Sequence, residues 1–370
     1  MLAGPSLDLL DLFPPAATVA CAPVSLLSSS LAVLGPIPSS SLLHIALNHL
    51  RAGEAGGAEH VPPTLSAKAR GKQRAVEGEP GQNDEDDNAV KHLPCLGRPR
   101  QRRVLVLTPD EGALRGELAK EADVSLFGSR RDSQTARLLD LTDIRYLPTS
   151  AHLTYFLATV HVFPSPHVTE AQAAYAETGA KSVVDPSCLP YEPTLVILHS
   201  PSDYLEEPVS EGAGVEAYAS ILAHFVSTFS RISSSTPSLV LLDPLAANIS
   251  LPLLPLHLRT KGKKRSRDDG TRAPADEVER DRVSLKKLAE RFFDYVGVVE
   301  ELDRPDPEAA IYSPDEPRRF LLACEATPQL RPRVPQSQHR LGVEFALNRV
   351  GVDDADGEDE GGMRIEVVGS

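Results

Sequence analysis

Tryptophan is absent from the 370-residue chain, aromatic residues make up only 5%, and four cysteines stand far apart at positions 21, 95, 188 and 324. They form no C-x-x-C pair and no alternating Cys/His spacing, which excludes a disulfide framework and a structural zinc site of the usual kinds. Charged residues are missing altogether from Leu12 to Leu50. That stretch is broken by Pro14, Pro15, Pro23, Pro36 and Pro38, and Asp8 and Asp11 stand where a signal peptide needs basic residues, so neither a membrane span nor a leader is expected. Acidic residues outnumber basic ones 52 to 38, for a net charge of −14, which argues against a wholly basic nucleic-acid coat.

Proline is abundant, 32 of 370 residues, so much of the length is expected to build loops. Residues 53–103 are rich in Gly, Pro and charge and include the run Asp84-Glu-Asp-Asp87; they read as a disordered insertion. Residues 259–281 form a second, basic insertion of the same kind, and residues 353–362 an acidic loop between the last two strands. On this reading the chain is one domain with insertions.

Between these segments the apolar pattern alternates between short runs and helical spacing. Ser30–Leu34, Val104–Thr108, Ile144–Leu147, Thr194–Leu198 and Ser238–Leu242 read as strands. Helical spacing marks Leu42 to Leu50, Leu153 to Val160 and Val215 to Phe229, and Ser284 caps a segment with Leu285, Leu288, Ala289, Phe292 and Phe293 on one face. Strands separated by helices of this length need crossover connections, so an α/β fold with a mainly parallel sheet and helices on both faces is predicted. The runs Val296–Val299, Phe320–Glu325, Leu341–Leu347 and Met363–Val368 have no helix between them and read as an antiparallel meander.

The turn Gly35-Pro-Ile-Pro-Ser-Ser-Ser-Leu42 lies between a buried strand and a helix, where backbone N–H groups and a helix N-terminus face an anion. Set against G-x-x-x-x-G-K-[ST], only Gly35 survives. Ser40 stands at the second glycine, Ser41 at the lysine and Leu42 at the magnesium-binding hydroxyl, while Pro36 and Pro38 remove two donors. The candidate nucleotide loop is therefore Gly35, Pro38, Ser39, Ser40, Ser41 and Leu42, in degenerate form. On the magnesium side the candidates are His199, which ends the 194–198 strand, Asp203 four residues on, and Asp243 at the end of the next strand. A non-hydrolysing loop without bound ATP or Mg²⁺, an active ATPase using Asp243 or Asp203, and an ordinary strand-helix turn are the three readings.

The order of these elements, the two insertions and several local runs resemble the RecA-like recombinase paralogues. The resemblance is closest to the small ATPase-like partner of SWIM-domain proteins in Shu-type complexes. The residues that carry it are Leu31–Leu43, Val104–Thr108, Ile144–Leu147 with the helix after it, Thr194–Leu205, and Leu288–Phe293 running into Val296–Val299. It implies a RecA-like fold and a nuclear role in homologous recombination. The implied partners are a SWIM-domain zinc protein, a recombinase filament and single-stranded DNA, any zinc belonging to the SWIM partner. An α/β scaffold unrelated to DNA is the remaining alternative.

Arg259, Lys261, Lys263, Lys264, Arg265 and Arg267 fall in nine residues without an acid. Such a run serves as a nuclear localisation signal or a phosphate-contacting patch, with localisation favoured because no aromatic residue lies within it to stack on bases. His44 and His49, five apart on a helix, do not share a face as metal ligands would, and His161 and His167 flank a proline loop.

Overall fold

In a computed structural model the described residues are 7–18, 23–57, 102–127, 133–162, 187–205, 215–232, 236–252, 282–302, 317–350 and 362–369. They run through α1 (Pro15–Thr18), β1 (Ser30–Leu34), α2 (Ser40–Gly57), β2 (Val104–Thr108), α3 (Glu111–Glu121), α4 (Val124–Phe127), α5 (Ser133–Leu139), β3 (Thr142–Tyr146) and α6 (Ser150–Thr159). There follow β4 (His161–Val162), β5 (Cys188–Leu189), β6 (Leu195–His199), α7 (Val215–Ile232), β7 (Ser238–Asp243), β8 (Ser250–Pro252), β9 (Arg282–Ser284) and α8 (Leu285–Ala289). The last four strands are β10 (Tyr295–Glu301), β11 (Arg318–Ala326), β12 (Arg340–Val350) and β13 (Gly362–Gly369).

Nine strands form one sheet in the order β13-β12-β11-β10-β1-β7-β6-β2-β3. From β10 to β3 every neighbouring pair is parallel, and from β10 to β13 every pair is antiparallel. This is the expected α/β architecture, with one correction. The run at 296–299 is not simply the first strand of an antiparallel meander: β10 pairs parallel with β1 on one side and antiparallel with β11 on the other, joining the two halves.

Side chains of the central strands alternate strictly between two core layers, as a period of two requires. Leu31 and Val33, Val104 and Val106, Leu195 and Ile197, and Val240 and Leu242 point to the layer that holds α2. Ala32 and Leu34, Leu105 and Leu107, Val196 and Leu198, and Leu239 and Leu241 point to the layer holding α6, α7 and α8. These strands are buried on both faces, which is why they read as continuous apolar runs. Over the antiparallel end, the first layer is completed by the N-terminal segment: Leu7, Leu9, Leu12 and Phe13 are fully buried, and Phe13 packs 5.0 Å from Phe345, centroid to centroid.

Two helix boundaries differ from the sequence reading. The helix of Leu42–Leu50 continues to Gly57, taking in the first five residues of the segment read as an insertion. Leu285–Ala289 is short, and Phe292 and Phe293 lie past its end, although Phe293 is still buried and Ser284 does cap the helix through the Lys287 N–H. Residues 58–101, the run 259–281 and residues 351–361 lie outside the described residues. Among the described residues no helix is long and apolar enough to cross a membrane.

Candidate functional site

β1 sits where the chain order of the parallel strands reverses, with β7 on one side and β10 on the other. In open α/β sheets the crevice outside the carboxyl ends of the strands at such a switch point is the usual ligand site. The turn 35–39 leaves β1 at that point. Gly35 has φ of +109°, and a Cβ there would lie 2.7 Å from the Val299 carbonyl oxygen, so both backbone conformation and space call for glycine. Its N–H donates to the Asp243 carbonyl at 3.0 Å, tying the turn to β7.

The donors of the loop can be followed one by one. The Ile37 N–H donates to the Gly35 carbonyl at 2.7 Å, Ser41 N–H to the Pro38 carbonyl at 3.0 Å, and Leu42 N–H to the Ser39 carbonyl at 3.2 Å. Pro36 and Pro38 have no N–H to give. The two amides that remain, those of Ser39 and Ser40, donate to the two carboxylate oxygens of Glu121 at 2.6 and 2.7 Å. The Ser39 hydroxyl donates to Glu117 at 2.5 Å. Every backbone donor from 35 to 42 is therefore used inside the protein.

Glu117 and Glu121 come from α3, which is set in place by Asp110. The Asp110 carboxylate accepts from the N–H groups of Gly112 and Ala113, and Leu114 and Leu118 turn inward. Glutamates four apart share a helix face, so one face of α3 presents both carboxylates to the start of α2. A carboxylate at a helix N-terminus has the favourable dipole that a phosphate would have. Burial pushes the Glu121 carboxyl above the usual range, and the amides of Ser40 and Ser39 pull it back in part.

ATP and Mg²⁺ do not fit this arrangement. The anion position holds the protein's own carboxylates, and Ser41 stands where a phosphate-binding lysine would. The Leu42 side chain is fully buried in the core layer, and the Ser41 hydroxyl is buried without a hydrogen-bond partner. A phosphate would enter beside two acidic groups rather than a cationic one.

The magnesium-side candidates are not assembled into one site. Asp243 ends β7 on the layer opposite α2, with Leu239 and Leu241. There its carboxylate accepts from the hydroxyls of Ser202 at 2.6 Å and Tyr218 at 2.8 Å. Burial raises the Asp243 carboxyl above its ordinary value against the pull of those two donors, and it raises the Tyr218 hydroxyl well above its own. Asp243 is a structural bond between β7, α7 and the 3₁₀ turn Pro201–Leu205, not a carboxylate facing the loop. His199 does lie on the α2 side, where its Nδ1 is 3.1 Å from the Thr108 hydroxyl; burial alone lowers it to about 4, so it is neutral near pH 7. Asp203 lies in the 3₁₀ turn, its N–H bonded to the Ser200 carbonyl at 3.1 Å.

His44 is buried against Asp123, with Nε2 2.8 Å from the carboxylate. Ser125 also approaches that same nitrogen, at 3.4 Å, so the three do not form a relay through both ring nitrogens. Among the described residues no group of three or more His, Cys, Asp or Glu side chains could hold a metal ion. Arg259, Lys261, Lys263, Lys264, Arg265 and Arg267 lie outside the described residues.

The residues that sequence reasoning missed are Glu117 and Glu121. α3 has little apolar periodicity, and the signals that mark it are Asp110 as a cap and the two glutamates four apart. No protein-family model matches the chain, and no curated protein matches it.

Proposed function

We propose that this chain is a non-catalytic, RecA-like subunit of a nuclear homologous-recombination mediator, acting with a SWIM-domain partner to support recombinase assembly on single-stranded DNA. The observation that carries the non-catalytic part is the seating of Glu121 on the amides of Ser39 and Ser40, which leaves the loop no backbone donor for a phosphate. Phosphoryl transfer depends on fixed positive charge around the γ-phosphate, and this loop presents negative charge instead. Supporting the RecA-like part are the position of the loop at the switch point and the mixed sheet with its antiparallel end. The recombination part rests on the sequence resemblance in residues 31–43, 104–108, 144–147, 194–205 and 288–299.

In this role the loop is a structural joint. It ties β1 to β7 through Gly35 and Asp243, and α2 to α3 through Ser39, Ser40 and the two glutamates, so the sheet's carboxyl edge is held without a ligand. Affinity capture of the tagged full chain from nuclease-treated nuclear extract tests the reading. Recovery of a SWIM-type zinc protein or a recombinase is expected. A folded, soluble bait that recovers neither, from cells whose loss of the protein leaves resistance to DNA-alkylating damage unchanged, contradicts it.

A further inference from the structure

The end of the sheet opposite the phosphate loop carries a cationic trough. β11 runs antiparallel to β10, so its last residues, with the start of β12, lie at the amino ends of the parallel strands. The five residues of β1 put ~17 Å between the two ends. An open depression of about 500 Å³ is lined there by Arg331, Gln336, Ser337, His339 and Arg340. A second, of about 390 Å³, shares Arg340 and continues along Gln338 towards Val24.

The charges in this region are unequal. Glu325 is its central acid, with Arg340 Nε at 3.2 Å, Lys286 Nζ at 3.7 Å and an Arg331 amino group at 4.0 Å. Three cations share one carboxylate, in a chain whose net charge is −14. Arg333, on the same 3₁₀ turn as Arg331, is exposed and makes no ion pair with a described residue. The turn is held rigidly: Arg331 Nε donates to the Ala326 carbonyl at 2.9 Å, and the His339 Nε2 lies 3.0 Å from the Arg331 carbonyl. The Gln338 side-chain oxygen is buried without a hydrogen-bond partner.

We propose that this trough binds the phosphodiester backbone of a nucleic acid. Its walls offer guanidinium, amide and hydroxyl groups around Arg340; no Phe, Tyr or Trp lines the first depression, and the one ring there, the His339 imidazole, is engaged with the Arg331 and Val334 carbonyls, so the trough suits phosphate contacts that ignore sequence. An acidic peptide would find the same charge, and Pro23, Val24 and Leu341 line the second depression, but the five residues that line the first are all polar or charged and offer no aliphatic or Phe, Tyr or Trp side chain against which to seat one. The trough and the loop lie at opposite ends of the sheet, so the proposal goes beyond the reading of the loop and does not depend on it.

Fluorescence anisotropy of the purified full chain with labelled oligo-dT of about 30 nucleotides, across a salt series, provides the test. The doubly substituted Arg333→Gln/Arg340→Gln variant touches only exposed side chains. It is expected to bind several-fold more weakly, with a salt dependence shallower by about 1.4, since each neutralised single-strand phosphate contributes about 0.7. Glu325→Gln frees three cations and is expected to bind more tightly, a gain that misfolding cannot imitate. A Lys263→Ala/Lys264→Ala/Arg265→Ala variant should keep the trough's share of the binding. Unchanged affinity and slope in the first variant, no gain in Glu325→Gln, or stronger competition by poly-glutamate than by unlabelled oligo-dT would overturn the proposal.

Discussion

The carboxylate of Glu121 stands 2.7 Å from the amide nitrogen of Ser40, in the position at the start of α2 where a bound phosphate would stand. Its other oxygen takes the amide of Ser39, so a side chain from α3 closes the loop from within. The contact is made within the protein itself, and it makes α3 part of the loop.

Replacing Glu121 by alanine should therefore destabilise the fold. Two amides at a helix N-terminus lose a charged acceptor, a loss of about 2–3 kcal/mol from hydrogen bonding and the helix dipole together. Urea unfolding of the wild type and of Glu121→Ala measures it. Added phosphate should restore part of the loss in the variant and leave the wild type unaffected; equal response of both proteins would mean that the amides are not the site.

Gly35→Ala should be among the most damaging single changes in the chain. A Cβ meets the Val299 carbonyl oxygen at 2.7 Å, and a φ of +109° is strained for alanine. A cost of about 3 kcal/mol or more is expected, since the obstructing atom is backbone in β10 and cannot swing aside. Thermal unfolding checks this, and a variant as stable as the wild type would require a turn of different conformation.

His199 gives a pH signature. Burial lowers it from 6.5 to about 4, so above pH 6.5 both folded and unfolded states carry it neutral. As pH falls from 6.5 towards 4 the unfolded chain takes up a proton that the folded chain refuses, and the stability due to the neutral, buried imidazole is lost. The stability difference between wild type and His199→Asn should accordingly shrink by about 1.4 kcal/mol per pH unit across that window. Asp11, raised to about 6 by burial and the nearby Asp8, and the raised carboxyls of Asp243 and Glu121 act in the opposite direction on absolute stability. They are common to both proteins and cancel in the difference. A difference independent of pH would place His199 in contact with water.

Much of the sheet was legible because its strands are buried on both faces. Ser30–Leu34 and Val104–Thr108 end where the apolar runs end, and Ser284 caps the helix after it, through the Lys287 amide. The parallel pairing of β10 with β1 was not legible, since an apolar run shows its period and not its neighbour. α3 was missed for a related reason: it buries only Leu114 fully, and its purpose lies in two glutamates whose target is some eighty residues earlier in the chain. That the turn lacks the lysine and magnesium-binding hydroxyl of a phosphate loop could be read from Ser41 and Leu42. That Glu121 takes the amides of Ser39 and Ser40 could not, because it depends on which helix the fold lays beside the turn.

The most direct measurement is titration of the purified full chain with ATP and Mg²⁺ by isothermal calorimetry, up to millimolar concentration. With Ser39 and Ser40 engaged by Glu121, and Asp243 turned to the opposite layer, no saturable binding is predicted. Saturable binding at or below the millimolar range would contradict the account, because it would require Glu117 and Glu121 to leave the loop.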